Sequence, residues 1–228
     1  MIRNHLLWNN DPGAPLIILI PGGTGTCKKN MPGFPASASY FWLRGFSCYI
    51  SETAGQDGKP GLFSLKRCLE ECKQIFDYLK KELLPSKTVL FGSCSGGTIA
   101  THLAADYKVS NLFLWETLPV FYDLSRNTFV KRANGRVALS NNFLDEYIET
   151  VDRSGEVKCP VFCMYGINFP NPIFNHDDAK KLRKAFTKTV LFNDQSFEGA
   201  SHNCTRGDNS ALLFDLLNYV HKSLTDLE

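Results

Sequence analysis

The stretch KTVLFGSCSGGTIATHLAADY, residues 87–107, constrains this chain more than any other. Thr88–Phe91 is an apolar run of strand type. Gly-Ser-Cys-Ser-Gly-Gly follows, and the next residues have the composition of a helix. A strand that turns into a helix within one or two residues forces its apex residue into a strained backbone conformation. The side chain of Cys94 then stands above the strand end, at the helix N-terminus. Gly92 and Gly96 remove side chains that would collide there. The positive end of the helix dipole favours an anion at that point. The outward N–H groups, that of Ser95 first, can hold a developing oxyanion.

The rest of the chain repeats the alternation. Strands are predicted at 15–20, 46–51, 87–92, 111–116, 159–166 and 189–192. Helices are predicted at 38–46, 64–84, 96–107, 176–186 and 209–224. In the segment 64–84, Leu65, Cys68, Leu69, Cys72, Ile75, Phe76 and Leu79 recur at helical spacing opposite a charged face, as in a helix lying on a sheet. This order predicts a mostly parallel sheet with helices on both faces, with ligands taken at the carboxyl ends of the strands. Residues 117–157 break the rhythm and are read as a lid inserted into a single domain spanning 1–228.

Composition narrows the function. The chain has 228 residues, 43% of them hydrophobic, with a formal charge of +2, which gives no sign of nucleic acid or an anionic membrane as partner. The longest apolar run near the start, PLIILIP, is too short to span a bilayer. The opening residues lack the apolar core and cleavage site of a secretory signal. A soluble, cytoplasmic protein is expected. Its eight cysteines are then expected as thiols. Cys48 and Cys163 fall in apolar strands, and Cys68 and Cys72 lie mid-helix, so no zinc site and no other metal is expected.

Two further segments carry chemistry. IPGGTG, residues 20–25, follows the first strong strand and can turn a backbone N–H inward at Gly23, with Thr24 as an alternative. As a phosphate loop, GGTGTCKK fails, because it lacks the second Gly before Lys and the hydroxyl residue after it. His202, in FEGASHNC, lies between the last predicted strand and the last helix, where a general base can stand. His5, His102, His176 and His221 are placed near the N-terminus or on helices.

Together, IPGGTG, GSCSGG and EGASHN resemble the α/β-hydrolase superfamily. The Gly-x-Cys-x-Gly-Gly form resembles its cysteine-nucleophile branch, which includes dienelactone hydrolases and is similar to polyhydroxyalkanoate synthases. The resemblance implies an α/β-hydrolase fold over about residues 15–224 and a site made of Cys94, His202 and an acid. Two departures stand out. The acid position after strand 159–166 falls on Asn168 or Asn171, depending on the end from which it is counted, and Glu116 closes the neighbouring strand as a displaced acid. Pro21-Gly22-Gly23 also lacks the Glu expected of dienelactone hydrolases before the oxyanion residue.

The resulting expectation is an enzyme in which Cys94 attacks an ester or thioester, with the N–H groups of Gly23 and Ser95 as the oxyanion hole. His202 moves the proton and is oriented by Asn171 or Asn168, as in Cys-His-Asn enzymes. The substrate is a small-molecule ester or acyl thioester, free or bound to coenzyme A or a carrier, and no cofactor is implied. Two alternatives are acyl transfer from Cys94 to an amine, alcohol or thiol, and a non-catalytic ligand-binding or redox-sensing homologue. Phe34, Tyr40, Phe41, Trp42, Trp115, Phe121, Tyr122, Phe169 and Phe174 lie in or beside the loops at the strand ends, and most suit the core. Lys28 and Lys29 read as a solvated pair.

Overall fold

The computed structural model describes residues 6–22, 33–51, 64–117, 152–167, 174–200 and 210–225. The strands are β1 (Leu6–Trp8), β2 (Leu16–Ile20), β3 (Ser47–Ile50), β4 (Thr88–Ser93), β5 (Asn111–Trp115), β6 (Val161–Ile167) and β7 (Phe192–Glu198). The helices are α1 (Gly33–Trp42), α2 (Leu65–Leu83), α3 (Ser95–Asp106), α4 (His176–Ala185) and α5 (Ser210–Thr225). The strands form one sheet in the order β1-β3-β2-β4-β5-β6-β7. Among the described strands, β1 alone is antiparallel to its neighbour.

The two faces follow from the pleat. Successive side chains of a strand point to opposite sides. Leu16, Ile18 and Ile20 of β2 join Leu90, Leu112, Leu114 and Val161 against α2, α3 and α4. Ile17 and Leu19 join Val89, Phe91, Phe113, Trp115 and Phe162 against α1 and α5. A strand buried on both faces has no polar side, so β2, β4 and β5 read as unbroken apolar runs. Each such side chain contributes about 1.5–3 kcal/mol on burial.

The chain runs from β2 outward to β3, then returns past β2 to form β4 on the other side. The crevice where the order reverses lies between the carboxyl ends of β2 and β4, the usual ligand position in open α/β sheets. Ile20 of β2 pairs with Gly92 of β4, so Pro21 and Gly22 emerge beside Ser93 and Cys94.

Two sequence expectations need correction, and one strand was not anticipated. The last strand is β7 at 192–198, not 189–192. It is an edge strand, partly exposed along its length, and carries no apolar run. Val190 and Leu191, which suggested a strand, are exposed in the approach to it. The helix read at 38–46 starts earlier and ends at Trp42, where Leu43–Gly45 turns the chain into β3 with Gly45 at φ 87°. The three-residue edge strand β1 had no readable pattern. Of the inserted segment 117–157, Thr117 and residues 152–157 are described, with a 3-10 turn at Ser154–Glu156; the remainder lies outside the described residues.

Candidate active site

Cys94 is the only residue between β4 and α3. Its backbone stands at φ 55°, ψ −128°, a conformation that L side chains rarely adopt. Such strain costs on the order of 1–3 kcal/mol and persists only where the surroundings enforce it. Two backbone bonds do so. The Cys94 N–H donates to Trp115 O at 3.0 Å, and the Gly97 N–H donates to Cys94 O at 3.0 Å.

Glycines then close the turn. A Cβ on Gly92 would lie 2.5 Å from Gly97 Cα and 2.7 Å from Gly96 O. One on Gly96 would strike the carbonyl oxygens of Ile20 and Pro21. One on Gly22 would meet Cys94 Cβ at 2.7 Å and Sγ at 3.3 Å, so the loop leaving β2 lies against the thiol-bearing side chain. Cys94 is 2% exposed. Ser95 is the first residue of α3, where a backbone N–H points out of the helix end.

The neighbouring strand ends carry a second group. Ser93 pairs with Trp115, so Glu116 follows β5 one step beyond, as Cys94 follows β4. Glu116 is buried, at 2% exposure, and also takes a positive φ, 40°. Its N–H donates to Met164 O at 2.9 Å, and its Oε1 accepts the Gly166 N–H at 3.0 Å. Gly166, near the end of β6, has no room for a side chain. A Cβ there would strike Ala200 O, come within 2.7 Å of Ala200 C and lie 3.2 Å from Glu116 Oε1. The ends of β4, β5 and β6 and the turn after β7 thus bring Cys94, Glu116, Gly166 and Ala200 along one edge of the sheet.

No protein-family model matches the sequence, and no curated protein matches it. Solved structures match along almost the whole chain. Est1E from Butyrivibrio proteoclasticus, with ferulic acid bound, superposes with a TM-score of 0.74 at 16% identity, covering 98% of this chain and 94% of that one. A structure from a study of carboxylesterases of the thaumarchaeon Nitrososphaera gargenis gives 0.72 at 13% identity, covering 98% and 95%. An alpha-beta serine hydrolase homologue from Coxiella burnetii gives 0.67 at 15% identity, covering 96% and 90%. The chain has the α/β-hydrolase fold.

Within that fold, the structure places Cys94, Ser95 and Glu116 at the carboxyl edge of the sheet. Gly23, Thr24, Asn168, Asn171 and His202 lie outside the described residues, as do Lys28, Lys29, Phe121, Tyr122 and Phe169. Of the aromatic residues considered for a pocket, Phe34, Tyr40, Phe41, Trp115 and Phe174 belong to the core. Trp42 is 40% exposed and donates its Nε1–H to Asn9 O at 2.9 Å.

The other described thiols sit apart from the elbow's chemistry. Burial pushes the Cys48 and Cys163 thiols well up, and that of Cys159 up to about 12. Cys68 and Cys72 are buried where α2 meets the sheet, and Cys72 Sγ shares a hydrogen bond with Ser51 Oγ at 3.1 Å. Among the described histidines, His102 lies within α3 and His221 within α5, both held below the usual imidazole range by burial first. His176 opens α4 and shares a hydrogen bond with the Tyr165 hydroxyl at 2.9 Å.

Two residues escaped the sequence reading. Thr117 is buried, and its side chain occupies the space that a Cβ on Gly97 would take. Its Oγ1 makes no hydrogen bond among the described residues. Gly166 admits both Ala200 and Glu116. The double glycine 96–97 was a signal for close packing, but not for the partner, which comes from just beyond β5.

Proposed function

We propose that this protein is a hydrolase of small-molecule esters or thioesters that works through a covalent acyl-Cys94 intermediate. The observation that carries the reading is the strained apex of Cys94 at φ 55°, held at the head of α3 and against Gly22 in the crevice beside β2. Strain of this kind collects at functional sites. The names of the matched structures, Est1E with ferulic acid bound and one from a study of carboxylesterases, support an ester carbonyl as the reacting group.

In the first half-reaction, His202 takes the proton from Cys94 Sγ as the sulfur bonds to the carbonyl carbon. The oxygen gains the negative charge and is held by the N–H groups of Ser95 and Gly23. One such donor is worth about 10²–10³ in rate. Collapse of the tetrahedral adduct breaks the bond to the leaving alcohol or thiol, which receives the proton from His202. In the second half, His202 deprotonates water, which attacks the acyl thioester. The acid leaves and the thiol is restored. No metal or organic cofactor takes part. The described cysteines are free thiols, which suits a reducing compartment such as the cytoplasm.

A panel of aryl esters and acyl thioesters tests the reading. We expect turnover by the wild type and at least about 10³-fold loss in Cys94→Ala and in His202→Ala. Full activity in Cys94→Ala contradicts it. An added amine reports the fate of the acyl group: amide product indicates transfer, and free acid alone indicates hydrolysis. Tight ligand binding without any acylation identifies a binding protein instead.

A further inference from the structure

We propose that His102 is a proton-sensitive brace beneath segment 152–157: a proton on its imidazole loosens the Arg153–Asp106 ion pair and frees the Arg153–Glu156 turn from α3. The device is independent of the ester chemistry at Cys94.

The chain leaves the sheet after β5 and returns to it at β6, and both described ends of that excursion rest on α3. Thr117 packs on Gly97 in the first turn of the helix, and Arg153 reaches Asp106 in the last. Val157 is buried in the core and pins segment 152–157 at one end. At the other end the tie is Arg153, whose Nη2 lies 3.0 Å from Asp106 Oδ1. Between them the turn closes on itself, with the Glu156 N–H donating to Arg153 O at 3.0 Å and the Val157 N–H to Ser154 O at 3.3 Å.

His102 lies on the same helix, 7% exposed, and its Nε2 has no hydrogen-bond partner among the described residues. An apolar side chain would fill that space without leaving a polar atom unpaired, so packing alone does not account for an imidazole there. His102 precedes Asp106 by four residues, which puts the two on one face of α3. From α2, Lys73 Nζ meets Asp106 Oδ2 at 2.6 Å. From the returning segment, Asp152 and Arg153 both act on the ring. Strands β2, β4 and β5 also pack on α3 and carry no ionisable side chain. Burial first, then Arg153 and Lys73, favour the neutral ring, against Asp106 and Asp152.

Asp106 already serves two cations, Lys73 on Oδ2 and Arg153 on Oδ1. An imidazolium on the same helix face adds a third that draws on the same carboxylate. Lys73 belongs to α2, which is fixed to the sheet along its apolar face. Arg153 belongs to a short turn, so it is the partner that gives way. Water then reaches the ring, which takes the proton as an ordinary imidazole. The detached state therefore accepts a proton near pH 6.5, and the docked state resists it. Docking is complete above that pH and weakens as pH falls toward the lower value of the docked ring. Within that window the opening equilibrium grows by at most about tenfold per pH unit.

Amide hydrogen exchange in the full chain tests the device, read at Glu156 and Val157 as protection relative to the intrinsic rate. Between pH 7.5 and pH 5 the carboxylates of Asp106 and Glu156 stay charged. The hydrogen bond from Lys73 holds the first below its usual range, and that from Arg153 the second. We expect protection at both amides to lie well below that of β4 throughout, which marks a local opening. It should fall at least about threefold from pH 7.5 to pH 5 in the wild type, and not in His102→Gln. In Arg153→Gln it should already be lower at pH 7.5, by up to about fivefold, the worth of a partly exposed pair, and should no longer follow pH. A flat wild-type profile overturns the proposal. So does an equal fall in folded His102→Gln, or exchange of Glu156 and Val157 at the rate of β4, which would place the proton's effect in global unfolding. If His102→Gln does not fold, Arg153→Gln decides: wild-type protection with the wild-type slope in that variant overturns the proposal, and low, pH-independent protection supports it.

Discussion

The two ends of α3 are built on opposite principles. At the N-terminal end, shape decides. Gly92, Gly96 and Gly97 are packed so closely against backbone and Thr117 that a single added carbon would collide. At the C-terminal end, charge decides. Asp106 pairs with Lys73 at 2.6 Å and with Arg153 at 3.0 Å, and Arg153 forks onto Glu156 at 2.6 and 2.7 Å. These side chains are partly exposed, Asp106 at 24%. Water can replace an ion pair there, but nothing can replace missing space at the elbow. The first end should therefore be brittle, and the second tolerant but sensitive to salt and pH.

The largest effect is expected at the brittle end. Gly96→Ala places a methyl group on the carbonyl oxygens of Ile20 and Pro21. Backbone cannot swing aside as a side chain can, so we expect at least about 3 kcal/mol of destabilisation or no folded protein. The urea midpoint measures it. A fully stable Gly96→Ala protein would break the contrast.

An intermediate effect is expected at His102, which sits in α3 between the two ends. It is 7% exposed, and its Nε2 has no hydrogen-bond partner among the described residues. Burial and the positive charges of Arg153 and Lys73 hold the imidazole below its usual range, while Asp106 and Asp152 oppose them. The folded state therefore resists the proton that the unfolded chain accepts near pH 6.5. Stability is complete above that pH and declines as pH falls toward the depressed folded value. We expect the difference in melting temperature between pH 7.5 and pH 5 to shrink in His102→Gln. An unchanged difference would show that other groups set the pH response.

The smallest effect is expected at the tolerant end. Asp106→Asn should cost about 0.2–1 kcal/mol at low salt and less at high salt, as for partly exposed pairs generally. The hydrogen bond from Lys73, ahead of the other causes, holds the Asp106 carboxyl below its usual range. Its contribution is therefore present above the ordinary carboxylate pKa, about 3.9, and is lost as pH falls through the lower folded value. Parallel salt series on wild type and Asp106→Asn measure both. A cost as large as that of Gly96→Ala would erase the distinction between the two ends.

The same contrast explains what the sequence made legible. The elbow is local: strand, glycines, cysteine and helix are contiguous, and each constrains the next. Strands β2, β4 and β5 are buried on both faces and announce themselves as apolar runs. Strand β7 lies at the sheet edge and is partly exposed, so its sequence carries little pattern, and the apolar Val190–Leu191 pair beside it misleads. The grouping of Glu116, Gly166 and Ala200 depends on the register of three strands far apart in sequence. No local spacing encodes it. Glu116 could be named from its position after a strand, but its contact with Gly166 required the fold.

The most direct test of the central claim is peptide mapping after a rapid acid quench of wild-type protein mixed with an activated acyl thioester. We expect one acyl group, borne by the peptide containing Cys94, that is lost on a chase in buffer and never forms in Cys94→Ala. An acyl group on any other residue, or turnover with Cys94 unmodified throughout, would contradict the covalent role assigned to the elbow.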